Sequence, residues 1–315
     1  MSAETFDYRV QWPSGQRRQG EHRSANSGES GAYRGDRLLR EVRDARQLSL
    51  RSTLRDPFER LWVREYLHTA TLDLWVWVDA SASMRSGGMS GMVSGVETAA
   101  GLIRAAALSA RAVGDRLGIY CADDTPIETC CAPPSRLAAQ SVAMSQKIQA
   151  LADAPGRSDG SGTAVRMASS ANGLLAGAGA LGTSRSLVFL VSDFHPERTN
   201  WRLVMQSLVM HDVVPIVIWN LPGALAGRQT GLMSLQDAET GRDRMVWMRD
   251  SLRQRMIKQL DEHFDSVERL CRSHGRRAVH LYDGFEPLAL TRYFLGAHQV
   301  ERPAHYLSQL SQLSR

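Results

Sequence analysis

The chain has 315 residues, with 38 Lys and Arg against 33 Asp and Glu, a net charge of +5. This length accommodates one large α/β domain with an appendage or two small domains, and no window approaches the roughly 18 consecutive apolar residues of a bilayer-spanning helix. The N-terminus is polar, with no apolar stretch before Leu72, so no secretory signal is read and a cytoplasmic protein without a membrane span is expected.

Cys121, Cys130, Cys131 and Cys271 fit neither C-x-x-C nor a zinc spacing, and are expected as reduced, packing thiols. The positive charge is arginine, since Lys147 and Lys258 are the only lysines. Guanidinium groups favour bidentate contacts to carboxylate or phosphate. The loose alternation of arginines between 34 and 64 suits a solvated face or an acidic partner better than a base-reading element. No zinc-finger, RRM or KH signature accompanies it, so nucleic acid is not the expected partner.

Residues 1–30 are rich in Ser, Gly, Arg and Gln without periodicity, and are expected as a mobile tail. A basic segment follows over 31–70, in which Phe58 to His68 reads as a strand or a short helix. Leu74 to Val78 is a short apolar run with the character of a strand buried on both faces. Val93 to Val113 is an Ala-rich amphipathic helix stopped by Gly114. Leu117 to Cys121 is a second strand, and Pro126 to Cys131 a short edge strand ended by Pro133 and Pro134. Helices are expected over Leu137–Leu151 and from Thr163 to about Ala176. Ser186 to Val191 is a third strand, Trp201 to Met210 a helix, and Val213 to Trp219 a fourth strand, irregular or at an edge because of Pro215. A hairpin over Met233–Met248, a long helix over Asp250–His274, a strand over Ala278–Tyr282 and a helix over Glu286–Leu295 complete the main domain, set at 71–298. Residues 299–315 are expected as a C-terminal tail. Strand alternating with helix in this way predicts an α/β fold with a doubly wound, mostly parallel, Rossmann-like sheet and a small basic N-terminal extension.

The first apolar strand runs straight into Asp79-Ala80-Ser81-Ala82-Ser83. One carboxylate and two hydroxyls at alternating positions are hard oxygen donors suited to Mg²⁺ or Mn²⁺. Taken alone the stretch serves equally as a helix or turn cap. Two later loops bear on the choice. Asp193 follows another buried strand and emerges on the same edge of a parallel sheet, and Thr163 lies in a Gly-rich loop able to reach that edge. Together Asp79, Ser81, Ser83, Thr163 and Asp193 make an oxygen cage for one divalent cation, with a position left for an acidic group from a partner. His195, in Asp193-Phe194-His195-Pro196, reads as a loop histidine held by hydrogen bonds. Catalysis by metal-activated water at Asp79 and Asp193 is the rival reading, but neither motif carries another histidine or a lysine, and no G-x-x-x-x-G-K-[ST] phosphate loop occurs.

The D-x-S-x-S after an apolar strand, a distant Thr in a Ser/Gly loop and a later S-D resemble the von Willebrand factor A domain and its metal-ion-dependent adhesion site. The N-terminal region is similar to the DUF58 family: Tyr33-Arg34-Gly35-Asp36, Arg40, Ala45-Arg46 and Val63-Arg64-Glu65-Tyr66, followed by Gly114-Asp115-Arg116-Leu117-Gly118 and Asp237-Ala238-Glu239-Thr240-Gly241. Val42-Arg43-Asp44 stands where that family usually carries an Asp-Trp pair. The resemblance implies a von Willebrand A-like domain binding Mg²⁺, with Mn²⁺ or Ca²⁺ as substitutes, through Asp79, Ser81, Ser83, Thr163 and Asp193. It further implies a non-enzymatic accessory factor acting with a MoxR-type AAA+ ATPase on a client protein that offers an acidic side chain, in maturation or remodelling of a complex such as a methanol dehydrogenase. Arg34, Arg40, Arg46 and Arg64 are the expected partner-binding residues.

Overall fold

The computed structural model describes residues 4–8, 10, 19–28, 32–41, 48–87, 93–153, 170–195, 201–221, 225, 230–236, 243–297 and 300–313. The chain divides into two compact units, one of residues 9–72 with 113–115 and one of residues 1–8, 73–112 and 116–315.

The smaller unit is a three-stranded antiparallel sheet. Its strands are β1 (Gln19–Gly28), β2 (Ala32–Leu38) and β3 (Trp62–Ala70), in the order β1-β3-β2. The ambiguous stretch from Phe58 is therefore a strand only from Trp62 onward, with Phe58 in the preceding turn. β1 falls inside the stretch expected as a mobile tail. Backbone pairing with β3 recruits it, and a polar composition does not forbid that, because strand preference follows the surroundings more than the residue. The Asp115 carboxylate accepts the Leu72 N–H at 2.8 Å.

In the larger unit the strands are β4 (Asp73–Asp79), β5 (Arg116–Ala122), β6 (Ala132–Ser135), β7 (Leu187–Ser192), β8 (Asp212–Ile218), β9 (Gly231–Gln236), β10 (Asp243–Met248) and β11 (Val279–Leu281). Six of them form one sheet in the order β11-β8-β7-β4-β5-β6, parallel throughout except at β5–β6. Helices flank it. The Ser94-Gly95-Val96-Glu97 start of the helix Gly95–Ala112 is a capping box: the Glu97 carboxylate accepts the Ser94 N–H at 2.8 Å and the Ser94 hydroxyl accepts the Glu97 N–H at 3.3 Å. From β4 the chain crosses through that helix to β5 on one side, whereas β7 lies on the other side of β4. The sheet order thus reverses between β4 and β7, and the crevice beyond their carboxyl ends is where open α/β sheets place ligands.

The central strands are apolar on both faces, as their sequences demand, and Trp75 and Trp77 are buried. Gly118 lies opposite Trp75, where a Cβ would sit 2.7 Å from the indole ring. At the opposite end of the sheet Arg116 grips Asp73 with two hydrogen bonds, of 2.7 and 2.6 Å.

Four expectations need correction. The edge strand is Ala132–Ser135 and not Pro126–Cys131, where a 3-10 turn over Glu128–Cys130 intervenes; Pro133 and Pro134 are tolerated because the strand has a neighbour on one side only and its register with β5 shifts between Ala132 and Ser135. Pro215 lies in an interior strand. The Asp212 N–H reaches Ser186 on the β7 side and the Trp219 N–H reaches Leu281 on the β11 side, so by alternation the missing donor of Pro215 faces β11, just before that strand's first pair at Ile216. Residues 4–8 are held and not loose: Phe6 is 2% exposed, its N–H donates to Ser109 Oγ at 2.9 Å, and its ring packs 5.7 Å from that of Phe189. Most of the expected C-terminal tail is the helix Pro303–Leu313, anchored by buried Leu307 and by Tyr306 stacked 4.6 Å from Tyr282.

The hairpin appears as expected, β9 pairing with β10 from Gly231↔Met248 to Gln236↔Asp243. No helix among the described residues is long and apolar enough to cross a membrane.

Candidate metal site at the sheet edge

Asp79 is the last residue of β4, and the Ala80 N–H extends the ladder to the Ala122 carbonyl at 2.8 Å. The chain then turns through Ser81 into the one-turn helix Ala82–Arg85, which carries Ser83. Ser192 ends β7 and Asp193 follows it. Two parallel neighbours thus deliver two carboxylates to the same edge, beside the reversal of sheet order.

The groups are bound into one network. Asp79, 1% exposed, accepts the Ser81 N–H at 3.0 Å on Oδ1 and the Ser192 hydroxyl at 2.7 Å on Oδ2. The Ser83 hydroxyl donates to Asp193 Oδ2 at 2.5 Å and lies 3.3 Å from the Ser81 hydroxyl. Asp193 Oδ1 accepts the His195 N–H at 3.2 Å. Among the described residues neither carboxylate forms an ion pair. Burial, with the nearby Asp193 charge, pushes the Asp79 carboxyl up to about 7. A pair of carboxylates among hydroxyls is what a bound divalent cation would neutralise, and the donor set is entirely hard oxygen. Among the described residues no three His, Cys, Asp or Glu side chains gather to hold a metal, so these two carboxylates would need the hydroxyls as co-ligands.

Four of the five expected ligands are therefore brought together. Thr163 lies outside the described residues. Of the arginines expected at a partner surface, Arg40 and Arg64 are exposed, Arg34 is placed in β2 by its backbone alone, and Arg46 lies outside the described residues.

Of the supporting residues only Ser192 figured in the sequence, as the first member of the S-D pair, and without a role of its own. Ser192 joins the two strand ends, since its hydroxyl donates to Asp79 and accepts the Phe194 N–H at 2.9 Å. Asn220, after β8, donates to the Ser83 carbonyl at 2.8 Å. His263, on the helix Asp250–Ser273, places Nε2 3.0 Å from the Asp193 carbonyl, and burial lowers its pKa. Arg85 braces the opposite side, from Nε to the Ala80 carbonyl at 2.7 Å and to Asp123 at 2.7 Å. The one available signal was that Ser192 and Asn220 are polar residues at the ends of apolar strands. His195 is held through its backbone: its N–H contacts Asp193, and its carbonyl accepts the Trp201 indole N–H at 3.1 Å. Between Asp193 and His195, Phe194 adopts φ 52°, with its ring buried 4.5 Å from that of Trp201. A left-handed, non-glycine residue costs on the order of 1 kcal/mol and persists where the surroundings over-determine it, commonly at functional loops.

Among solved structures, similarity extends to the conserved hypothetical protein BatB from Bacteroides thetaiotaomicron (11% identity, 72% of this chain and 98% of that one, TM-score 0.41). It extends also to an aerotolerance-related membrane protein from Bacteroides fragilis (9% identity, 72% and 98%, TM-score 0.40) and to an uncharacterized membrane spanning protein from Vibrio fischeri (16% identity, 71% and 96%, TM-score 0.20). No curated protein matches. The family described as "Protein of unknown function DUF58" matches residues 43–265, well over half of the sequence, and the chain belongs to that family.

Proposed function

We propose that the chain is a non-enzymatic, Mg²⁺-dependent protein-docking module of the von Willebrand A type. Asp79, Ser81, Ser83 and Asp193, with Thr163, would hold the cation, and a carboxylate from a partner would complete its shell. The observation that carries this reading is the pairing of two carboxylates from neighbouring parallel strands, linked by serine hydroxyls and, among the described residues, without an ion pair. Coordination by one partner carboxylate is weak without a surrounding interface, so the cation gates docking and the interface supplies most of the affinity. The proposed partners are a MoxR-type AAA+ ATPase and a client protein bearing the acidic side chain, in assembly or remodelling of that client.

The test is capture from the native lysate by wild type and Asp79→Ala, each with Mg²⁺ and with EDTA. An AAA+ ATPase or its client retained only by wild type with Mg²⁺ is the expected result. The same proteins retained in all four arms would show that the Asp79 loop is structural.

A further inference from the structure

The smaller unit builds a surface that the docking reading does not use. The helix Leu50–Arg55 buries none of its side chains. Leu54 is 85% exposed, Phe58 73% and Leu50 65%, and Leu61 is exposed beside them. Single exposed apolar residues are ordinary, but four within the twelve positions of this knuckle are not.

The knuckle is also firmly constructed. Asp36 Oδ2 accepts hydrogen bonds from the Ser49 and Ser52 hydroxyls, tying the helix start to β2. Asp56 organises the turn: it accepts the Phe58 N–H at 2.9 Å, the Trp62 indole N–H at 2.7 Å and Arg60 Nε at 2.8 Å. The Arg60 guanidinium lies 4.8 Å from the Phe58 ring centre. Thr53 Oγ1 accepts the Trp62 N–H at 3.0 Å, closing the helix onto β3. A disordered loop exposes apolar groups by default, whereas this one is hydrogen-bonded into displaying them.

Charge identifies the counterpart. Residues 9–72 hold thirteen arginines against eight Asp and Glu, and the knuckle itself, Leu50–Leu61, holds three arginines against Asp56 and Glu59, with Arg60 engaged by Asp56. Arg51 and Arg55 stand exposed on the same helix as Leu50 and Leu54. Projecting Leu and Phe flanked by arginine suit a soft phase that closes around them, with anionic groups at its surface. A peptide would need a concave seat, and projecting side chains do not supply one.

We propose that the knuckle from Leu50 to Leu61 inserts into the surface of an anionic lipid bilayer, with Leu54 and Phe58 entering the headgroup–acyl boundary and Arg51 and Arg55 pairing with lipid phosphates. The attachment is peripheral and independent of the site at Asp79.

The test is co-sedimentation of the full chain with vesicles of phosphatidylcholine, with and without phosphatidylglycerol. Wild type is expected to pellet with the anionic vesicles alone. Leu54→Ser/Phe58→Ser, at exposed positions that leave the fold intact by circular dichroism, should bind at least about tenfold more weakly. Arg51→Gln/Arg55→Gln should weaken binding and flatten its salt dependence. Failure of wild type to pellet with anionic vesicles overturns the proposal, as does undiminished binding by the Leu54/Phe58 variant. If that variant keeps vesicle binding but loses capture of an acidic protein, the knuckle is a protein-docking surface and the bilayer assignment is overturned.

Discussion

Replacing Asp79 by Asn separates a metal ligand from a structural acid, because the two roles predict opposite stability changes. Burial, then the Asp193 charge, moves the Asp79 carboxyl from its ordinary 3.8 to about 7, which corresponds to about 4 kcal/mol against the ionised folded state. The folded pKa lies above the unfolded one, so between roughly pH 4 and pH 7 the folded chain binds more protons. Metal-free stability therefore falls as pH rises through that window and levels off above it. Asn removes the charge and keeps an acceptor for the Ser81 N–H, but presents a donor or a poorer acceptor to the Ser192 hydroxyl, at a cost of about 1 kcal/mol. In EDTA at about pH 8 the variant should be more stable than wild type by up to about 3 kcal/mol, and that advantage should vanish near pH 4. Urea unfolding across this range measures it. Adding Mg²⁺ should stabilise wild type and leave the variant unchanged. A variant less stable than wild type at pH 8 in EDTA would refute the reasoning, because Asp79 would then be a well-compensated structural carboxylate.

Three further substitutions test the packing that positions the site. Phe6→Ala should lower unfolding stability by about 3 kcal/mol in urea melts; no change would mean that the N-terminal segment is not part of the core. Gly118→Ala drives a methyl group into the Trp75 ring and should cost about 1–3 kcal/mol, with an altered near-ultraviolet circular dichroism spectrum; a neutral result would place the indole elsewhere. Arg116→Gln leaves Asp73 without its bidentate partner and should cost about 2 kcal/mol, a loss that Asp73→Asn in the same chain should partly restore.

The parts of the fold that were legible in the sequence are those governed by local pattern. Leu74–Val78, Leu117–Cys121 and the Leu187–Val191 part of Ser186–Val191 are apolar runs, and each became an interior strand of the parallel sheet. Asp79 and Asp193 were found because each ends or follows such a run, so a parallel sheet had to bring them to one edge. What escaped depends on long-range contact. Asn220 and His263 reach Ser83 and Asp193 across 137 and 70 residues, and no short window contains that pairing. Phe6 and Tyr8 sit in a polar segment too short to show a period, yet the aromatic cluster with Phe189 and Phe294 holds them. Pro215 misled because a proline penalty depends on which neighbour its nitrogen faces, and that is set by where β11 begins.

The measurement that bears most directly on the central claim is titration of the metal-free chain with Mn²⁺, read by electron paramagnetic resonance. Wild type should bind one Mn²⁺ that Mg²⁺ displaces, and Asp79→Ala and Asp193→Ala should each weaken that binding by at least about tenfold, the loss expected when one of two carboxylate ligands is removed. Mn²⁺ bound equally by wild type and both variants, or not bound by wild type, would contradict the assignment of the sheet-edge cluster as a cation site.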